Sequence, residues 1–160
     1  MLRPVEIDNT SSFDIVLAAS GDYPSVTIPA HGKMYIPSAN YIAYALSNDL
    51  SALSINVSTV DVDFRNVSVK DFGAVGDGAH NDTYSIQAAI DSVAFYGGGI
   101  VRVPVGVYLI DGVVLSGDVS LAGDSYNGSI LKLTSTATKP LIAVADGSSS
   151  ITDILLRGND

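Results

Sequence analysis

Asp111 with Asp124, and Asp118 with Asp153, are the acidic pairs that could do chemistry in this chain. Glycosidic cleavage takes two carboxylates facing one groove, one serving as acid and the other as base or nucleophile. These aspartates sit in Gly/Ser-rich turns such as IDG, SGD and AGDS. Aspartate is favoured there for its hydrogen bonds to local backbone. Turn chemistry therefore accounts for them, and no catalytic residue is assigned within these 160 residues. His31 and His80 fall in different parts of the chain and build no Ser-His-Asp set. Tyr84, Tyr96, Tyr108 and Tyr126 could stack on sugar rings, but packing in the core or on the surface is the simpler account. The absence of cysteine excludes disulfides, zinc–thiolate clusters and thiol catalysis.

The stretch VKDFGAVGDGAHNDTYSIQAAIDSV, residues 69–93, raises the possibility of phosphate binding. Gly73, Gly76 and Gly78 are spaced G-x-x-G-x-G. A dinucleotide loop needs G-x-G-x-x-G, and a P-loop needs a lysine after its last glycine. Neither pattern is present, and Asp77 and Asp82 would face any bound phosphate. Asp77, Asn81 and Asp82 are hard oxygen donors, yet their spacing is not that of a calcium loop. We expect structural turns at the three glycines, and a helix cap at Asn81 or Asp82. No cofactor and no metal are expected.

The elements that hold these residues follow from periodicity. Ile86, Ala89, Ile90 and Val93 recur at i, i+3, i+4 and i+7, which predicts a helix over about 83–96, stopped by Gly97–Gly99. Short apolar strands follow at 100–103, 107–110, 113–115, 119–122, 130–133, 141–144 and 151–156, with no helix between them. A loose period of roughly twenty residues predicts coils of a β-solenoid, with a β-sandwich as the alternative. The four apolar helix residues then form a lid over the first coil, whose end would otherwise stay open.

Upstream, residues 1–60 read as a small β-rich unit. Its strands are expected at 13–19, in a hairpin over 25–37 turning at His31–Gly32, and at 53–58. Ser38 is expected to cap a short helix over 38–50. Residues 61–66 form the linker, and 67–73 a strand running into a turn. The net charge of −9 argues against a general nucleic-acid binder and against docking on anionic lipid. The apolar runs are too short to span a bilayer, and the N-terminus does not read as a secretory signal.

The stretches KDFGAVGDG, DTYSIQAAID and GGGIVRVPVGVY resemble the opening of pectate-lyase-like proteins, strongly over 67–124 and more weakly to 160. The resemblance implies a mainly β chain ending in the first coils of a right-handed parallel β-helix, the pectin-lyase fold. Members include polysaccharide lyases, glycosidases and bacteriophage tailspikes. A small β-rich unit ahead of such a domain is similar to the virion-binding region of a tailspike. The resemblance thus implies the N-terminal part of a homotrimeric spike. Residues 1–60 would hold tail or baseplate proteins, and downstream coils would recognise and degrade host surface polysaccharide. It also implies assembly into the virion after synthesis in the host cytoplasm. The catalytic groups of this fold normally lie on later coils. A depolymerase activity is therefore expected of a longer protein and not of this stretch. The alternative is a secreted pectate-lyase-like lyase or glycoside hydrolase.

Overall fold

The computed structural model describes residues 5–17, 26–28, 30–36, 55–59 and 65–158. The chain divides into two compact units, Met1–Val62 and Asp63–Asp160.

In the first unit, strand β1 (Val5–Asn9) is central to an antiparallel sheet, flanked by β4 (Lys33–Ile36) and β5 (Ile55–Thr59). Strands β2 (Ile15–Leu17) and β3 (Val26–Ile28) pair antiparallel in a second small sheet. The expected hairpin over 25–37 does not form, because its two arms pair with different strands. Val26–Ile28 runs along Ile15–Leu17, and Lys33–Ile36 along Val5–Asp8. His31 lies at the junction with φ 53, and its N–H reaches Ser11 O at 3.1 Å. Ile7, Ile15, Leu17, Ile28 and Met34 are buried. Asn9 is buried among them: its Nδ2 donates to Phe13 O (2.9 Å) and Ile28 O (3.0 Å), and its Oδ1 accepts from Ser11 N–H (2.9 Å). Strand β1 lies outside the expected elements, although Val5, Glu6, Ile7 and Asp8 alternate apolar with polar. The helix expected over 38–50 lies outside the described residues.

The second unit is a stack of parallel coils. Strand β6 (Asn66–Ser68) runs into a turn as expected, and that turn is a 3-10 helix, Val69–Phe72. The reason is local. Ser68 Oγ accepts from Lys70 N–H at 3.2 Å, and Asp71 returns the bond to Ser68 N–H at 3.0 Å. This reciprocal pair nucleates a helical turn, which Gly73 ends in the left-handed conformation at φ 86. Strand β7 (Asp77–Asn81) follows, then helix α1 (Thr83–Phe95).

The coils come next. Strands β8 (Gly99–Val103), β9 (Gly106–Ile110) and β10 (Val113–Leu115) make one coil. Strands β11 (Val119–Gly123), β12 (Ser129–Leu133) and β13 (Ile142–Val144) make another. Strands β14 (Ser150–Thr152) and β15 (Leu155–Arg157) begin a third. Like-placed strands pair in parallel to give three sheets, ordered β14-β11-β8-β6, β15-β12-β9-β7 and β10-β13. The strand expected over 151–156 is two strands, because Asp153 takes φ 54 and carries the chain from one sheet to the next. Residues equivalent in register stack inside: Val67, Val101 and Leu121 in one column, Tyr108 and Leu131 in another, all buried. The coils differ in length, since Ile100 pairs with Ser120 while Ser120 pairs with Ser150. Longer corners at 124–128 and 134–141 take up the difference.

Candidate functional site

Helix α1 fills the place beside β10 that a strand of the preceding coil would take. Its residues Ile86, Ala89, Ile90 and Val93 are fully buried, and the helix packs against β6, β8, β10 and the 3-10 turn. Its C-terminus closes with a double bond pattern: Gly97 N–H to Ala94 O (3.0 Å) and Gly98 N–H to Val93 O (3.1 Å). That pattern needs a left-handed residue after the cap, and Gly97 supplies it at φ 89. Gly99 answers a different demand. A Cβ there would lie 2.3 Å from Arg65 O, so only glycine lets β8 pass this close to the incoming chain.

The N-terminal end differs in detail from the expected cap. Asp82 holds the N-cap position but makes no side-chain cap bond to the helix. Its carboxylate turns back to the glycine loop and accepts from Val75 N–H (2.6 Å) and Gly76 N–H (3.0 Å). Asn81 Oδ1 accepts instead from Thr83 N–H at 3.0 Å. Asp82 is only 2% exposed, and burial raises its pKa against the lowering effect of those two N–H groups and of Lys70. Gly76 and Gly78 have φ of 65 and 76. A Cβ on Gly76 would sit 2.7 Å from the Tyr108 ring. The G-x-x-G-x-G loop is thus a turn wrapped over a buried tyrosine, with its nearest N–H groups already taken by a carboxylate.

Tyr108 itself is fully buried, donates to Pro104 O at 3.1 Å, and lies 5.2 Å from Lys70 Nζ at the ring centre. Burial, aided by the charges of Asp82 and Asp124, pushes its pKa up to about 12. It is a core residue and no platform for a sugar ring. Tyr126 is exposed, Tyr84 is half-buried, and Tyr96 meets Phe95 edge-on at 5.3 Å.

The aspartate pairs do not face common grooves. Asp111 stands at the corner between the second and third sheets, and Asp124 at the corner between the first and second. Asp118 lies between the third and first sheets, and Asp153 between the first and second. The carboxylates of Asp111 and Asp118 also have structural work. The Asp111 carboxylate accepts from Asn81 Nδ2 (2.6 Å) and from Thr134 Oγ1, tying three successive coils together. Asp118 accepts from Ser148 N–H (2.8 Å), while Asp146 on the next coil accepts from Gly117 N–H (2.7 Å). Asp77 accepts from Ala79 N–H, His80 N–H and the His80 ring, at 2.8, 2.9 and 2.6 Å. These bonds hold its pKa well below the ordinary carboxylate range. His80 and Asp77 form an exposed pair, and His31 lies in the other unit.

Beside helix α1 the outer side of β10 borders a shallow, mainly apolar cavity of about 210 Å³, between Gln87, Val114, Lys139 and Pro140. Gln87 and Lys139 carry no motif, so sequence reasoning passed over them. The one available signal for Gln87 is its polarity beside the apolar stripe. Among the described residues no group of three or more His, Cys, Asp or Glu could hold a metal ion, and no helix is long and apolar enough to cross a membrane.

Residues 64–155 match the family described as rhamnogalacturonase A/epimerase, pectate lyase-like. Mannuronan C5-epimerase AlgE1 of Azotobacter vinelandii is 45% identical over 74 residues, 41% of this chain and 5% of the epimerase. Alginate lyase 7 of the same organism is 34% identical over 107 residues, 58% of this chain and 12% of the lyase. The solved A-module of its mannuronan C-5 epimerase AlgE4 superposes with a TM-score of 0.55 at 33% identity, over 58% of this chain and 29% of the module. The matches therefore span only a small part of each relative.

Proposed function

The chain belongs to the rhamnogalacturonase A/epimerase, pectate lyase-like family, and on that premise we propose that it is the leading part of a polysaccharide-acting phage tailspike. Residues 1–60 anchor the spike to tail or baseplate proteins of the virion, in a homotrimer. The coils that follow position a longer solenoid, whose later turns recognise and degrade host surface polysaccharide. The observation that carries the reading is the order of parts: a separate small β unit precedes a helix-lidded stack of parallel coils. The carboxylates of Asp111, Asp118 and Asp146 are spent on corners, which supports placing the chemistry elsewhere in such a protein.

The test is to delete residues 1–60 from the longer protein. Virions should lose the spike, while the solenoid keeps its fold and its depolymerase activity. Normal incorporation of the truncated spike would overturn the anchoring role.

The relatives favour a second reading, a secreted enzyme acting on uronate polymers. Mannuronan epimerases and an alginate lyase are similar to part of this chain, and C5 epimerisation needs a base that removes the C5 proton. Purification separates the two: a spike co-sediments with phage particles, and a secreted enzyme is found free in the medium.

A further inference from the structure

The corners between the first and second sheets stack on one another along the coils. Val107 N–H donates to Gly76 O, and Gly106 N–H to Gly128 O, both at 2.9 Å. Residues 74–76, 104–106 and 124–128 therefore lie in one row, and Asp153 turns the same corner on the next coil. The row carries Val75, Val105 and Tyr126, which are 44%, 62% and 59% exposed. A Cβ on Gly128 would sit 3.1 Å from Val105 Cγ2, so the 124–128 turn rests on Val105. A contiguous run of exposed apolar side chains marks an interaction surface. Further along the row the chemistry changes to acid. Asp124 and Asp153 are exposed and form no ion pair among the described residues, where the pairs join Lys33 to Glu6 and Asp8, and His80 to Asp77.

The second sheet holds the complement of this row. Tyr108 and Leu131 are buried, so strand alternation turns Leu109 and Lys132 outward, and Arg157 continues their column. Lys132 and Arg157 also form no ion pair among the described residues. Coil by coil, the corner row reads Val105, Asp124, Asp153, and the sheet column reads Leu109, Lys132, Arg157.

We infer that the corner row of one copy of this chain packs on the Leu109–Lys132–Arg157 column of the next copy, with coil axes parallel, in a closed ring of three. Rotation about an axis along the stack keeps like coils at one height. Val105 then meets Leu109, Asp124 meets Lys132, and Asp153 meets Arg157. Charge complementarity of this kind fixes register. An antiparallel copy centred on the middle coil would set Val105 against Arg157 and Asp153 against Leu109, leaving both charges covered and unpaired. The two rows agree in order within one chain, which makes a second copy the occupant. A contact between two different patches grows into a ring when its rotation closes. The inference rests on the homotrimer of the reading above and adds the surface that builds it.

The experiment is light scattering on the 160-residue chain and on charge reversals. The parent is expected at a mass of about three chains. Asp124→Lys with Asp153→Lys should fall to one chain, and adding Lys132→Asp with Arg157→Asp should restore the trimer. A second measurement does not depend on those variants. The chain has no cysteine, so Val105→Cys with Leu109→Cys introduces the only pair. Within one chain these positions are roughly 13 Å apart along extended backbone, too far for a disulfide. Oxidation should therefore link three chains on a non-reducing gel. A monomeric parent, a trimer indifferent to Asp124→Lys with Asp153→Lys, failure of the fourfold reversal to restore it, or oxidised bands of one chain only overturns the interface. A trimer indifferent to the reversals would still leave the homotrimer reading standing. That reading is judged by the mass of the longer protein released from virions, so the two can fail independently.

Discussion

Gln87 holds both backbone groups of Val114: its Nε2 donates to Val114 O at 2.9 Å, and its Oε1 accepts from Val114 N–H at 2.8 Å. A side-chain amide on helix α1 thus does for β10 what the backbone of a neighbouring strand would do. It satisfies one strand edge at the point where the helix displaces a strand of the stack. Gln87→Leu is expected to cost about 1–2 kcal/mol, the worth of two partly solvated hydrogen bonds. Gln87→Glu should cost a similar amount, since it loses the donor and sets a carboxylate against Asp91, which Gln87 also bonds at 2.8 Å. Urea denaturation of both variants checks this. Faster hydrogen exchange at Val114 N–H in the leucine variant would locate the effect.

Gly76 and Gly97 both have positive φ but face different surroundings. Gly76→Ala meets a backbone penalty and a Cβ contact of 2.7 Å with the Tyr108 ring, whereas Gly97→Ala meets nothing within 4 Å. The second substitution should cost about 1 kcal/mol, from backbone conformation alone. The first should cost clearly more, with near-ultraviolet circular dichroism reporting a disturbed tyrosine. Equal melting temperatures for the two variants would count against the contact with Tyr108.

Ile90→Asp places a charge in the fully buried stripe of helix α1. The loss should reach several kcal/mol, because no partner is available to an ionised group there. Thermal unfolding that matches the parent would show that the stripe is not packed on the coils.

Two acids five positions apart pull on the pH profile in opposite directions. Asp77 has a lowered pKa, caused first by the backbone N–H of His80. Its contribution is present above the ordinary aspartate pKa and is lost as pH falls through the lower, folded value. Asp82 has a raised pKa, caused first by burial. Its contribution is present below the ordinary value and is lost as pH rises through the folded one. Removing Asp77 with Asp77→Asn should therefore flatten the fall in stability on acidification. Urea midpoints between about pH 2 and pH 7 test the signs; a steeper acid loss in the variant would reverse the assignment for Asp77.

The fold of the second unit was legible because its signals are local and strong. The helix showed in the spacing of Ile86, Ala89, Ile90 and Val93, and the strands showed as short apolar runs between turn residues. The misread positions have separate causes. The strand expected over 151–156 is split in two where Asp153 takes a positive φ. Asp82 looked like a cap, yet its partners lie back in the glycine loop. In the first unit the 25–37 segment carries good hairpin spacing, but pairing across sheets overrode it. The carboxylates could be assigned to turns from their Gly/Ser neighbours, whereas the hold of Gln87 on Val114 needed the packing of the helix on the coils to be seen.

The helix that ends in Gly97 and Gly98 also has a bearing on how such a chain is made. Synthesis delivers the N-terminal side first. Helix α1 and the 3-10 turn close over short sequence separations, so they can form before any parallel pairing with later strands is available. Parallel strands are slow to pair because each ladder must wait for a whole coil to emerge. A prefolded apolar stripe gives β8, β9 and β10 a surface to condense on as they leave the ribosome. Each finished coil then templates the next, and register is handed forward from the helix instead of being searched for at every turn.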